Sequence, residues 1–422
     1  MKEKKTEIKK KLKSIFSPKK LVLWLSILIL IFTVPAFNKS AMSQTQAIVT
    51  MLCVDKIDDK IKVAATVLTP SQDKKANFQV YSGEGETLGY AVDSVSLAIG
   101  KEMGFAQCKI MALGENICSE GVMQVLDYMT RTKKVGRNAV LVSFTGGVVD
   151  FTQAVANLNL EKSLRLDRIV SFDKRYVLTQ DSNIETFYIG YYSPISLGLM
   201  SKVKLGTSEE FNAIEVASSD SGSAGGASTD MSSTGDGGEN KKFIMNDGTV
   251  SLFKNGKHYI DMTLDEVKKA NIFVNDAQKG TVVVEGVTDH IYNNAKVVVN
   301  ILKKDISIKP SFKDGIPIYK TDVDLTVFID EVIEENPSER LLRRNQDFLT
   351  NALITKIKEK MEGDMREIIK YCQDNEVDLL GVYKHFYALE NKDFEEYLDR
   401  VGEKNYLDGI DYQISIKVKS EN

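Results

Sequence analysis

Ala47 to Val54 reads AIVTMLCV and Ile61 to Leu68 reads IKVAATVL, with the polar stretch DKIDDK from Asp55 to Lys60 between them. Two runs rich in β-branched and apolar residues around a short polar turn are a hairpin signal. A third strand, Phe78 to Tyr81, leads to Gly83-Glu84-Gly85-Glu86-Thr87. The spacing of Leu88, Val92, Val95, Leu97 and Ile99 then predicts a helix over Thr87 to Met103. Lys109 to Leu113 reads as a strand, Cys118 to Met129 as a helix and Ala139 to Phe144 as a strand. Strand and helix alternate, so residues 44–205 are expected to form an α/β domain.

Residues 217–240, ASSDSGSAGGASTDMSSTGDGGEN, hold seven Ser and six Gly and no large aliphatic residue except Met231. Such a composition buries too little apolar surface to order itself, so 206–242 reads as a flexible linker. Beyond it, 243–422 reads as an α+β domain. Thr249 to Phe253 and His258 to Ile260 flank Lys254-Asn255-Gly256-Lys257, and Asn-Gly is the preferred pair for a type I′ hairpin turn. Thr263-Leu264-Asp265-Glu266 has the form of a capping box. Strands follow at Thr281 to Val287 and Lys296 to Leu302, and Val323, Leu325, Val327 and Ile329 alternate with polar residues as on a sheet with one wet face. Asn336-Pro337-Ser338-Glu339 has the residue types of a helix start, predicting one long helix over about 337–374, with Gly363 as the place for a bend. Ile410, Tyr412, Ile414, Ile416 and Val418 alternate strictly and close the chain as a strand.

At the other end, Lys2 to Lys20 carries nine Lys and two Glu, a balance of +7 in a chain whose net charge is −4. Leu21 to Phe37, LVLWLSILILIFTVPAF, has no charge in seventeen positions and spans about 25 Å as a helix, near the lower limit for crossing a bilayer. The positive-inside rule keeps residues 1–20 in the cytoplasm and sends the body across. Three readings remain for 21–37. An uncleaved signal anchor fits best; a signal peptide cleaved after Val34-Pro35-Ala36 or Ala41-Met42-Ser43 comes second, and a buried soluble helix third. In the first two the body is extracytoplasmic.

The body is acidic and offers no basic patch to phosphates, which argues against nucleic-acid binding. Four Cys and three His in 422 residues argue against a disulfide scaffold and a multi-ligand zinc site. Cys108 and Cys118 either pair or, the better reading, are small buried residues. Gly83-Glu84-Gly85 between a strand and a helix invites a dinucleotide-binding reading. It fails because Gly89 falls one position late for G-x-G-x-x-G, and because Glu84 and Glu86 place negative charge where a pyrophosphate would sit. The better reading is a flexible helix entry whose acids favour the helix dipole. His258, His290 and His385 are isolated, without HExxH spacing, and neither a P-loop nor a G-x-S-x-G elbow is present. Asp58-Asp59, Glu334-Glu335 and Glu395-Glu396 read as solvated surface and not as a positioned acid and base. No catalytic, cofactor-binding or metal-ligating residue is singled out.

The order of these motifs resembles the Ger(x)C family, the C subunits of spore germinant receptors. AIVTMLCVDKIDDKIKVAATVL is similar to that family's opening strand pair, and GEGETLGYAVDSVSLAIGKEMGFAQCKIMALGENI to its helix followed by a strand and Gly-Glu. VSLFKNGKHYIDMTLDEVKKANIF stands where the family has a hairpin and short helix. The stretch from ITKIKEKM through NEVDLLGVYKHFY resembles its closing long-helix segment, with Asp378 to Gly381 at a customary Asp-to-Gly position. The resemblance covers most of residues 45–420. It implies a multi-domain protein on the outer face of the inner spore membrane, working with integral-membrane receptor subunits when nutrients are sensed, and leaves room for a small-molecule germinant at the level of the complex. It also implies no enzyme activity and no cofactor. The chain departs from the family in two ways. No lipidation cysteine stands between Leu21 and Leu52, so a transmembrane anchor would replace the lipid, and the Ser/Gly insertion is unusual. Two other function classes stay open: a solute-binding sensor with its own pocket, and an extracytoplasmic enzyme whose site is assembled from distant residues.

Overall fold

A computed structural model describes residues 46–69, 77–157, 182–206, 243–274, 280–334 and 349–420. The expected basic segment, membrane segment and Ser/Gly stretch lie outside these residues. Among the described residues no helix is long and apolar enough to cross a membrane.

The opening hairpin forms as expected. β1 (Gln46–Ile57) and β2 (Lys60–Thr69) pair antiparallel, with Cys53 opposite Ala64, around a two-residue turn in which Asp58 and Asp59 both take positive φ. β3 (Asn77–Gly85) adds to β2 and is longer than the expected Phe78 to Tyr81. It carries Gly83-Glu84-Gly85 inside the strand, so these residues are not a flexible helix entry. A Cβ on Gly83 would lie 2.9 Å from the Ala91 carbonyl oxygen, and one on Gly85 would lie 2.7 Å from the Ala91 nitrogen. The glycines let α1 (Leu88–Ile99) lie directly on β3.

Thr87 caps α1 by accepting a hydrogen bond from the Tyr90 N–H, and Gly100 ends it in the left-handed conformation. The helix is therefore shorter than the expected 87–103, and Met103 belongs instead to β4 (Glu102–Gly104), which pairs parallel to β1. β5 (Ile110–Gly114) follows. The helix expected over Cys118 to Met129 is two helices, α2 (Glu115–Glu120) and α3 (Met123–Arg131), separated at Gly121 with φ 132°. β6 (Val140–Thr145), α4 (Val148–Asn157), α5 (Ile184–Tyr191) and β7 (Leu197–Gly206) complete the first half.

β8 (Phe243–Lys254) and β9 (Lys257–Thr263) form the expected hairpin, with positive φ at both Asn255 and Gly256. They are not a separate layer, because β8 pairs antiparallel with β7. One nine-stranded sheet runs in the order β3-β2-β1-β5-β6-β7-β8-β9, with β4 beside β1, and takes strands from both sides of residues 207–242. Its centre, β1-β5-β6-β7, is parallel. Alternate residues face opposite layers: Leu141 joins the core under α1, α3 and α5, while Val142 joins the core under α4.

The Thr263–Glu266 capping box starts α6 (Leu264–Ile272). β10 (Gly280–Val287), β11 (Ala295–Lys313), β12 (Ile316–Ile333) and β13 (Asp411–Ser420) form a four-stranded sheet in that order, with β13 parallel to β12. β11 continues eleven residues past the expected Leu302, paired throughout with β12. The long helix is α7 (Asn351–Asp374), capped by the Thr350 hydroxyl. It starts after the expected 337; Asn336-Pro337 lies outside the described residues. Leu353, Ile357, Met361, Met365, Ile368 and Cys372 are its buried stripe. α8 (Val382–Leu389) and α9 (Asn391–Val401) follow. Val250, Leu252 and Met262 join this second core, whereas Phe253, on the opposite face of β8, joins the first.

Candidate functional site

Two polar clusters, one half-buried and one buried, are candidates for chemistry. The first crosses the large sheet. Asp261 of β9 accepts from Lys202 Nζ of β7 at 2.7 Å, from Ser251 Oγ of β8 at 2.8 Å and faces His258 Nε2 at 2.8 Å. Ser251 is also 2.9 Å from Ser143 Oγ of β6. Burial alone would push the Asp261 carboxyl up, but the bonds from Lys202, His258 and Ser251 outweigh it and hold it below the usual carboxylate range. Burial likewise disfavours the Lys202 charge, and its bond to Asp261 raises its pKa in spite of that.

Serine, histidine and aspartate thus meet, but in the wrong order for nucleophilic catalysis. A relay needs the serine hydroxyl on the histidine and the histidine on the acid. Here Ser251 and His258 both turn to the same oxygen, Asp261 Oδ1. The carboxylate is a hub joining three strands, and its satisfied bonds offset the desolvation of the charges.

The second cluster surrounds Asp378, which is 5% exposed. Its carboxylate accepts from the Val382 and Tyr383 N–H groups, both at 2.8 Å, and from the Tyr406 hydroxyl at 2.8 Å. The first two are orphan donors of α8. Gly381 takes the left-handed conformation at the N-cap with φ 68° and has no side chain to cap the helix, so Asp378 does this from three residues upstream. The Asp-to-Gly spacing noted in the sequence therefore has a physical cause: one residue supplies the acceptor, the other the positive φ. Burial pushes the Asp378 carboxyl up, and bonds from Tyr383, Val382 and Tyr406 oppose that. Beside it, Tyr319 donates to the Leu380 carbonyl at 3.2 Å and lies 2.9 Å from His385 Nδ1. Burial lowers the His385 pKa despite the nearby Asp378 charge.

The three histidines fall on β9, on the connection from β10 to β11, and on α8, each in its own surroundings. Among the described residues no three His, Cys, Asp or Glu side chains are grouped to hold a metal ion. Cys53, Cys108, Cys118 and Cys372 are all free and buried, so Cys108 and Cys118 do not pair. Burial pushes the thiols of Cys53, Cys108 and Cys372 up to about 12, which leaves them protonated and inert. Asp58-Asp59 makes the first turn, and Glu395-Glu396 is exposed on α9. Sequence reasoning did not single out Lys202, Ser251, Asp261, Tyr319 or Tyr406. No local motif joins them; strand pairing and packing do.

Two family models match the chain: spore germination protein N-terminal domain over residues 42–205, and spore germination B3/GerAC like, C-terminal, over residues 248–421. The chain belongs to the GerAC-like family of spore germination proteins. The crystal structure of the GerBC protein is similar at 16% identity, covering 88% of this chain and 97% of that one, with a TM-score of 0.48. No curated protein matches at a significant level. This GerAC-like chain is thus a germinant-receptor C subunit, and its Asp378 and Gly381 lie within the C-terminal family match.

Proposed function

We propose that the chain is a non-enzymatic, membrane-tethered subunit that works by docking to integral-membrane subunits of a germinant receptor, with its body on the extracytoplasmic face. Family membership over both halves carries the proposal. The uncharged run Leu21 to Phe37 behind a +7 segment supports the tether. A tether beside the bilayer raises the effective concentration of any membrane-embedded partner. The ionisable clusters support the absence of turnover in a positive way: half-buried Asp261 and buried Asp378 already hold strands and a helix start together.

Deleting the gene and scoring sporulation and germination separately tests this. The expected result is normal spore yield with a lost or slowed nutrient response. Unchanged germination with every nutrient, or a block in spore formation itself, contradicts the proposal.

A further inference from the structure

A cleft of about 470 Å³ opens between α5–β7 on one side and residues 378–385 on the other. Its walls are largely apolar, with Phe187, Leu199, Leu252, Ile308 and Leu379 among them. That volume falls within the range of small-molecule sites, which are mostly apolar with a few placed polar groups. The polar groups here are unequal in what they have left to offer. Asp378 lines the cleft, yet both its oxygens are engaged by Val382, Tyr383 and Tyr406. Three of its roughly four acceptor positions are therefore taken by the protein itself.

Lys384 differs. It stands exposed on the cleft wall, on the first turn of α8, and among the described residues its ammonium makes no ion pair. Next to it, His385 is held by Nδ1 at the Tyr319 hydroxyl. An apolar cleft bordered by an unpaired cation, with its one buried acid already satisfied, is complementary to an anion that has an apolar body.

We propose that this cleft binds a small hydrophobic carboxylate, with the apolar part among the leucines and the carboxylate at Lys384. The selectivity follows from charge: the matching ammonium compound would face Lys384 with a like charge, while the Asp378 carboxylate is turned to its own three donors. Binding at this cleft is argued from its own residues and does not depend on the docking proposal.

Saturation-transfer NMR on the full chain in lipid nanodiscs tests it, with 4-phenylbutanoate and 4-phenylbutylammonium as matched probes. The carboxylate is expected to bind saturably, and the ammonium at least about fivefold more weakly, the ratio expected for about 1 kcal/mol at a solvent-accessible ion pair. Lys384→Gln should weaken the carboxylate about threefold to fivefold, and Leu199→Phe, which narrows the cleft, should reduce both probes. Lys384 is on the surface, so this variant is expected to keep its fold, with circular dichroism as the check. Equal binding of the two probes, unchanged carboxylate binding in Lys384→Gln, or no saturable binding would each overturn the proposal.

Discussion

Asp378 shows how much one buried residue holds. Its two oxygens satisfy the Val382 and Tyr383 N–H groups and the Tyr406 hydroxyl, 28 residues downstream. Asp378→Ala leaves all three donors without a partner in a buried site, so it should destabilise the second half by about 3 kcal/mol or more. Asp378→Asn, which keeps one acceptor oxygen, should lose less. Urea denaturation followed by circular dichroism measures both, and equal midpoints for Asp378→Ala and the unmodified chain would remove the capping role. The Asp-to-Gly part of this arrangement entered the sequence reading only through the family resemblance, with no capping role attached to it. Tyr406 and Tyr319 did not enter it, because packing alone brings them to Asp378 from other elements. The same holds for the Asp261 hub, whose partners Lys202 and Ser251 sit on separate strands.

At the scale of elements, the strand and helix types follow periodicity, while their ends follow conformations that periodicity does not record. The apolar spacing of α1 continues toward Met103, but Gly100 stops the helix in the left-handed region and β1 recruits Met103 as β4. Gly121 divides α2 from α3 in a similar way. The sharpest difference is at Gly83 and Gly85. A strand–glycine–helix pattern suggests a loop, whereas these glycines are in β3 because α1 passes too close for any side chain. Gly85→Ala should therefore destabilise the first half by about 2 kcal/mol through overpacking, seen as a lower urea midpoint. If the fold relied only on flexibility at this point, the same substitution would be neutral or mildly stabilising.

For the whole molecule, the relation of the two halves was the least legible feature. A low-complexity stretch between two family-sized segments suggests a boundary, and the two family matches fall on either side of it. Yet β7 and β8, from opposite sides, pair along one ladder from Leu197–Lys254 to Gly206–Phe243. Composition records the stretch itself; it does not record which strands meet after it. Proteolysis within 217–240 should then leave two fragments that still co-elute on size exclusion without denaturant. Fragments that separate under those conditions would show that the ladder does not join the halves.

The proposed docking role would set the chain among membrane partners, and that is the claim most open to direct measurement. The tagged full chain is to be solubilised from the membranes of dormant spores and its co-purifying proteins identified. The expected result is stoichiometric recovery of a multi-span membrane protein with the full chain. A chain that is abundant in the membrane fraction, folded, and recovered alone without crosslinks to any multi-span protein would contradict the account.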